Sequence, residues 1–419
     1  MDASALILLA AAAAWAAVVA WLIRRAARQF RAYRELTPDP LDDGEVLPPL
    51  SVVIPARNEA HAIGRCIAGL AAQDYPAAAL EVVIVDDNSE DGTAAAAREA
   101  AAGDRRFRVM ASGPLPAGWT GKAHACWRGA AATESDWLCF IDADTVPAPP
   151  LLRAALKAAR RERLDLLSLE PRQELETAWE RLIIPAGLFA LAFALDHRRI
   201  NDPADDAAAA NGQFVLVRRA AYNATGGHAA VRQHIAEDSA LAHAMKHAGF
   251  RVVLLGGTAL IRTRMYRGFA SLWEGLTKNC IETFGGRRMT LAVGTLGFLL
   301  AWCAAALPAV LGLVAIGRHS PLLLCGFLVA LLASLAMLGL HVAGARHLGI
   351  PMGYGFLFPL GYTLAAALAV DALLRQRRGR MRWKGRLYTP ADTSPADLSA
   401  PDEAVASGRR RARHNTWQG

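Results

Sequence analysis

Apolar positions along this chain fall into two kinds of run. The first kind is long and almost unbroken. Residues 5–23 are nearly all apolar and are closed by Arg24 and Arg25. Nineteen residues at about 1.5 Å each nearly match a hydrocarbon core of roughly 30 Å. No basic region precedes this run, so it reads as a retained anchor rather than a cleaved signal. Three more runs of this kind come late, at 291–316, 321–343 and 354–374.

The second kind is short, β-branched and ended by polar residues. Leu50-Ser-Val-Val-Ile-Pro55, Glu81-Val-Val-Ile-Val-Asp-Asp87, Phe107-Arg-Val-Met110 and Trp137-Leu-Cys-Phe-Ile141 each predict a strand. Helical stretches are expected between them, from Asn58-Glu59 through Leu70, over 93–102, and over 121–133. Asn211 to Arg219 predicts a further strand. A turn at Gly226-Gly227-His228 and a helix from Glu237-Asp238 to His247 come next. Strands alternating with helices imply a mostly parallel, doubly wound α/β sheet.

Charge changes the picture of the ends. The formal net charge is +8, with 53% hydrophobic residues and a mean hydropathy of +0.21. The basic residues cluster beside the apolar runs, at Arg24, Arg25, Arg28, Arg31 and Arg34 and again over 375–386. That placement suits anionic lipid head groups and not a nucleic-acid groove. It puts the N-terminus outside and the segment after Arg24 in the cytoplasm. Three late crossings would then carry the basic stretch 375–386 outside, against the charge rule. A re-entrant or tilted hairpin over 349–361 resolves the conflict. Residues 182–195 are also apolar, but a crossing there would separate Asp144 from Asp238. This stretch is therefore either a buried helix or one lying in the membrane interface. The six cysteines are scattered and contain no C-x-x-C pair, which fits a reducing compartment.

The candidate chemistry sits at strand ends. Asp86, Asp87, Asp142 and Asp144 all lie just after predicted strands, where open α/β sheets bind ligands. Carboxylates converging there repel one another unless a cation compensates. A hard divalent ion, Mg²⁺ or Mn²⁺, bridging carboxylate and diphosphate oxygens would do so. Glu237-Asp238 opens a helix, where the dipole also favours acids. Gly118-Trp-Thr-Gly-Lys122 lacks the spacing and hydroxyl residue of a phosphate loop. His243 and His247 lack the glutamate of a zinc motif.

Together, Val52-Val-Ile-Pro-Ala-Arg-Asn-Glu59, Val85-Asp-Asp-Asn-Ser-Glu-Asp-Gly-Thr93, Asp142-Ala-Asp144 and Glu237-Asp238 resemble family 2 glycosyltransferases, inverting enzymes with a GT-A fold. The resemblance covers roughly residues 48–290. Within the family, Pro116-Ala-Gly-Trp-Thr-Gly-Lys122, Trp179-Glu-Arg, Asn201-Asp-Pro203 and Trp383-Lys-Gly-Arg-Leu-Tyr388 are similar to membrane enzymes of the hopene- and carotenoid-associated type. Ala210-Asn-Gly-Gln213 with Gly227-His228 would also fit a neighbouring group with other acceptors.

The resemblance implies that Pro55, Arg57, Glu59, Asp86 and Asp87 line the nucleotide pocket of a nucleotide-sugar donor. It implies that Asp142 contacts the donor or the metal, that Asp144 coordinates the metal, and that Lys122 meets the diphosphate. Asp238 would be the general base, with Glu237 as the alternative. The acceptor would be a membrane lipid of isoprenoid kind, such as a hopanoid or a carotenoid. The Q-x-x-R-W of processive members is missing, since Leu272-Trp-Glu-Gly-Leu-Thr-Lys278 stands in its place. Single-sugar transfer is therefore expected, with a polysaccharide synthase and an inactive membrane scaffold as alternatives.

The expected organisation is an anchor over 1–24, a basic linker over 25–47 and the transferase domain over 48–288. Membrane segments over 289–375 come next, and then a basic, largely disordered cytoplasmic tail over 376–419. The expected location is the inner membrane.

Overall fold

The computed structural model describes residues 3–38 and 46–388. The tail beyond 388, with its arginine run at 409–413, lies outside the described residues. The chain divides into two compact units that alternate along the sequence. One comprises residues 38–169 and 208–254, the other 1–37, 170–207 and 255–387.

The first unit is α/β. Its sheet has seven strands: β1 (Leu50–Ala56), β2 (Leu80–Asp86), β3 (Phe107–Ala111), β4 (Trp137–Phe140), β6 (Leu166–Glu170), β8 (Val215–Arg218) and β9 (Val252–Gly256), in the order β3-β2-β1-β4-β8-β6-β9. A short strand, β5 (Thr145–Pro147), comes after β4. The β1–β2, β2–β3 and β1–β4 pairs are parallel, whereas β8 is antiparallel to both β4 and β6. The sheet is therefore mixed, with the expected parallel half on one side.

Val52, Val53, Ile54 and Val82 to Val85 are fully buried. Strands covered on both faces need continuous apolar runs of this kind. Helices α2 (Ile63–Ala71), α3 (Thr93–Ala101), α4 (Gly121–Ala131) and α5 (Leu151–Arg161) connect the parallel strands. Chain order proceeds from β1 to β2 and β3 on one side, while β4 lies on the other. The carboxyl ends of β1 and β4 therefore flank a topological switch point, where such sheets leave a crevice.

Two expected boundaries move. Helix α2 starts at Ile63, not at Asn58-Glu59. Asn58 adopts φ 51°. Its amide donates to Ser89 Oγ, and its side-chain oxygen accepts from the Glu90 amide. The Glu59 amide goes to Thr93 Oγ1 and the Ala60 amide to Asp91 Oδ2. The segment spends its polar groups on the loop after β2, so no helix can begin there. Likewise β8 begins at Val215, because Asn211 to Phe214 forms a turn closed by Gln213 N–H to Asn211 Oδ1 and Phe214 N–H to Asn211 O. Helix α8 (Arg219–Ala224) comes directly after β8. His228 lies in a one-turn helix, α9 (Gly227–Ala230), and α10 spans Glu237–His247.

The second unit is helical. It contains α1 (Ala3–Ala32), α6 (Ala178–Ala194), α7 (His197–Asn201), α11 (Phe269–Thr283), α12 (Arg287–Gly317), α13 (Pro321–His347), α14 (Gly353–Phe356) and α15 (Phe358–Arg377). Two short strands, β7 (Arg172–Gln173) and β10 (Ile261–Thr263), pair in parallel, and β11 (Met381–Trp383) pairs with β12 (Arg386–Tyr388). Four helices, α1, α12, α13 and α15, are long and apolar enough to cross a membrane, with mean hydropathies of 2.5, 2.3, 2.5 and 1.3.

Trp15 of α1 donates to Ser334 of α13, 3.0 Å away. Ser320 caps α13, with Pro321 in its first turn. The apolar stretch at 182–195 forms α6, opened by a Thr177/Glu180 capping box and carrying Pro185 inside. Ile183, Ile184 and Ala186 are buried. Phe189 stacks on His341 of α13, and Arg25 of α1 donates to the Phe193 carbonyl. This stretch is thus packed among the long apolar helices, with its second half partly exposed.

Candidate active site

Two groups of polar residues gather at the carboxyl ends of the parallel strands. The first joins the ends of β1 and β2. Arg57 donates from Nη1 to the carbonyls of Asp87 and Asn88, both at 2.7 Å. The Asp87 amide donates to the Ala56 carbonyl, and its Oδ1 accepts from Ser112 Oγ at 3.2 Å. Asp87 and Glu59 are both buried. Asp86 accepts from the Ser89 amide through Oδ2. Its Oδ1 is buried without a hydrogen-bond partner among the described residues. Asn88, at φ 55°, tightens the turn and donates to the Gly113 carbonyl. The result is a rigid polar edge built from Arg57, Glu59, Asp86 and Asp87.

The second group centres on Lys122, in the first turn of α4. Its Nζ lies 2.8 Å from Asp142 Oδ1 and 2.9 Å from Glu237 Oε1. Burial works against the ammonium, but Asp142, Glu237 and Asp238 outweigh it and hold the amine well above its ordinary range. Glu237 is almost fully buried. Burial pushes its carboxyl up to about 7, against the pull of Lys122. Burial also raises Asp238.

Asp238 is fixed by two backbone donors, Gly212 N–H to Oδ2 and Ser239 N–H to Oδ1. Ser239 Oγ in turn donates to the Ala210 carbonyl. The turn before β8 thus clamps the start of α10. A Cβ on Gly212 would lie 2.6 Å from Lys122 Nζ and 2.9 Å from Asp238 Oδ2. Glycine leaves the room these two groups occupy.

Pro55, Lys122, Asp142, Glu237, Asp238 and His228 line one small pocket. Asp144 is not among its lining residues. It lies on the turn after β4, where Thr145 Oγ1 donates to the Asp142 carbonyl at 2.6 Å. Burial pushes the Cys66 thiol up, and Asp144, Asp142 and Glu59 add to that shift, so these three carboxylates share one neighbourhood. Among the described residues no group of three or more His, Cys, Asp or Glu side chains is arranged to hold a metal ion.

The structure therefore brings Lys122, Asp142, Glu237 and Asp238 together, and Arg57, Glu59, Asp86 and Asp87 beside them. Three further residues escaped the motif reading. Gly212 shapes the position of Asp238. His228, buried against Phe140 and bonded to Tyr222 Oη at 3.0 Å, is driven down to about 3 by burial and the Lys122 charge, so it is neutral. Cys126 lines the same pocket. Gly212 and His228 both fall in stretches whose likeness pointed to a subgroup and not to a role.

The family described as "Glycosyltransferase like family 2" matches residues 48–281. The 4,4'-diaponeurosporenoate glycosyltransferase of Staphylococcus aureus (strain MRSA252) is 27% identical over 351 residues, covering 81% of this chain and 88% of the relative. The enzyme of that name in Staphylococcus haemolyticus (strain JCSC1435) is 27% identical over 279 residues, covering 61% and 72%. Among solved structures, a mannosyltransferase from Pyrobaculum calidifontis, in complex with GDP-Man and Mn²⁺, shares the fold. It superposes with a TM-score of 0.51 at 20% identity, over 88% of this chain and 98% of that one. The family match takes in more than half of the 419 residues and both polar groups at the strand ends, and the protein belongs to the family 2-like glycosyltransferases.

Proposed function

We propose that the protein transfers a single sugar, with inversion, from a nucleotide-sugar donor to a membrane lipid of isoprenoid type. The observation that carries this reading is the clamped Asp238 beside the Lys122–Asp142–Glu237 cluster. Asp238 is held at a fixed position by two amides, and burial raises its basicity. A general base needs this combination of fixed geometry and a pKa moved toward neutrality.

Asp238 takes the proton of the acceptor hydroxyl. The oxygen attacks the anomeric carbon, and the bond to the diphosphate breaks with its electron pair. One base and one in-line displacement give inversion. Arg57, Glu59, Asp86 and Asp87 would hold the nucleoside, and Lys122 would meet the diphosphate. Asp142 and Asp144 would hold a divalent cation. Asp142 already attracts the Lys122 ammonium, which it shares with Glu237, and a donor's phosphate oxygens would complete the ligand set. When bound, Mg²⁺ or Mn²⁺ supplies charge stabilisation to the departing diphosphate.

An isoprenoid acceptor is supported by the name of the staphylococcal relatives, whose diaponeurosporenoate is a carboxylate that would attack without a base, whereas a hydroxyl acceptor needs Asp238; a membrane-bound acceptor is supported by the four apolar helices. The arginines in the last turns of α1, Arg24, Arg25, Arg28 and Arg31, support a catalytic unit on the cytoplasmic side of the inner membrane.

The test measures nucleoside diphosphate release by the full-length protein in lipid, with Mn²⁺, a panel of UDP-, GDP- and dTDP-sugars, and isoprenoid acceptors. One donor should give acceptor-dependent release that chelation removes. Asp238→Asn should lower turnover about 10²–10⁴-fold while retaining donor binding. Near-normal turnover in Asp238→Asn refutes the base. Products that lengthen with time point to polymer synthesis. Failure of every donor to bind points to an inactive scaffold.

A further inference from the structure

Helix α15 is apolar and 20 residues long, but its partners place it at one face of the membrane. Gln376, near its carboxyl end, accepts a bond from Arg287 at the start of α12. Ala369 packs at the position of Gly294, and Tyr362 at that of Gly297. Trp302 donates to Thr363 at 2.9 Å. The helix therefore runs antiparallel to α12. The deepest of these pairs, Trp302 with Thr363, stops 15 residues short of Gly317, or about 22 Å at 1.5 Å per residue.

The long helices set where a bilayer would lie. Arg318 donates to Ser4, Leu9 packs at Gly326, Trp15 bonds Ser334, and Phe30 meets His347 edge-on at 6.0 Å. Helices α1 and α13 thus run side by side. The nineteen steps from Ser4 to Ile23 span about 28 Å, the thickness of a hydrocarbon core. Nineteen steps down α12 from Arg318 end at Leu299, between Gly297 and Trp302, where α15 begins. The first residue of α15, Phe358, stacks on His341 at 4.2 Å, close to the end of α13.

Beyond α15 the chain returns to the same level. Trp383 of β11 packs edge-on to Tyr266 and carries the Lys278 ammonium over its ring at 5.0 Å. Lys278 belongs to α11, which leads directly into α12. Asp371 of α15 accepts from Trp273 of α11 at 2.8 Å and from Arg375 at 2.7 Å. Such bonds are costly in the middle of a bilayer and ordinary at its edge. Phe269 packs against both Trp179 and Trp273 at this level, with Trp179 and Phe269 each a little under half exposed. Aromatic rings of this kind gather at head-group depth.

We propose that the chain crosses the membrane three times, through α1, α12 and α13, and that α15 dips to the hydrocarbon edge and leaves by the face it came from. The layer formed by α11, α15 and β11 then rests on the lipid head groups. Arg375, Arg377 and Arg378 share a face with Arg24, Arg25 and Arg287, as the charge rule requires. The lower mean hydropathy of α15, 1.3 against 2.3 to 2.5 for the others, agrees.

The test uses the full chain in sealed vesicles of one orientation, with different tags at its two ends and protease outside. An odd number of crossings puts the ends on opposite faces, so one tag should be removed and the other only after detergent. Removal of both tags, or protection of both, overturns the proposal. A second measurement avoids terminal tags. Gly317→Cys, where a Cβ meets nothing within 4 Å, and Arg378→Cys, in a chain lacking its own cysteines, should react with an impermeant maleimide from opposite faces. Reaction from one face overturns it equally.

Discussion

Gly212 is where a single missing side chain decides the site. Its amide fixes Asp238, and the space a Cβ would take holds the ends of Lys122 and Asp238. Those ends are flexible, so Gly212→Ala should melt close to the parent while losing turnover by about 10²-fold, the usual consequence of shifting reacting groups by an ångström. Steady-state kinetics beside a thermal melt checks this, and equal losses of both would assign Gly212 to folding alone.

Glu237 gives a pH signature at the same scale. Its folded carboxyl titrates near 7 against an ordinary 4.5. Between those values the folded chain keeps a proton that the unfolded chain has released. Stability from this group therefore falls as pH rises from about 4.5 to 7. Glu237→Gln should flatten that slope in melts recorded without donor or divalent ion.

Asp86, Asp87 and Asp142 were legible in the sequence because residue type and strand ends coincide there, and Glu237 and Asp238 because an acidic pair opens a helix. Gly212 and His228 were not. Their roles come from approach in space, Gly212 to a helix 26 residues on and His228 to Phe140, and no spacing rule encodes that.

At the scale of elements, the strands were readable because each is an apolar run bounded by polar residues. The start of α2 was not, because the amides of Asn58 to Ala60 are satisfied by the side chains of Ser89, Asp91 and Thr93, some thirty residues away. The contact of α4 with the sheet has a similarly hidden requirement. A Cβ at Gly129 would lie 2.3 Å from Val53 Cγ1 and 3.0 Å from Val85 Cγ2. These are rigid side chains on central strands, so Gly129→Val should cost about 1–3 kcal/mol. Denaturant melts read this directly, and an unchanged midpoint would mean that α4 can lift off the sheet freely.

The whole molecule is organised less simply than its sequence suggests. Residues 170–207 and 255–286 precede α12 in the chain but fold with the apolar helices. Helix α6 is packed through Phe189 on His341 and through Leu182 on Gly361. Helix α11 is held to α15 by Trp273 and Asp371. A chain ending at Gly286 would strip these faces bare. It should aggregate in the absence of detergent, as exposed apolar surface of that extent does. A monomeric, soluble product by size-exclusion chromatography would show that the α/β portion stands alone. Length and hydropathy revealed the apolar helices. They could not reveal which intervening segments those helices recruit, because recruitment is settled by side-chain contacts between distant parts of the chain.

The Lys122 ammonium between Asp142 and Glu237 has a consequence for the resting enzyme. Asp142, Glu237 and Asp238 gather around that single ammonium, which offsets their mutual repulsion only in part. On the proposed reading, an arriving donor with its cation would exchange with this tethered counter-ion, which would be released to meet the phosphates. On that reading, occupancy would depend on a difference between two attractions.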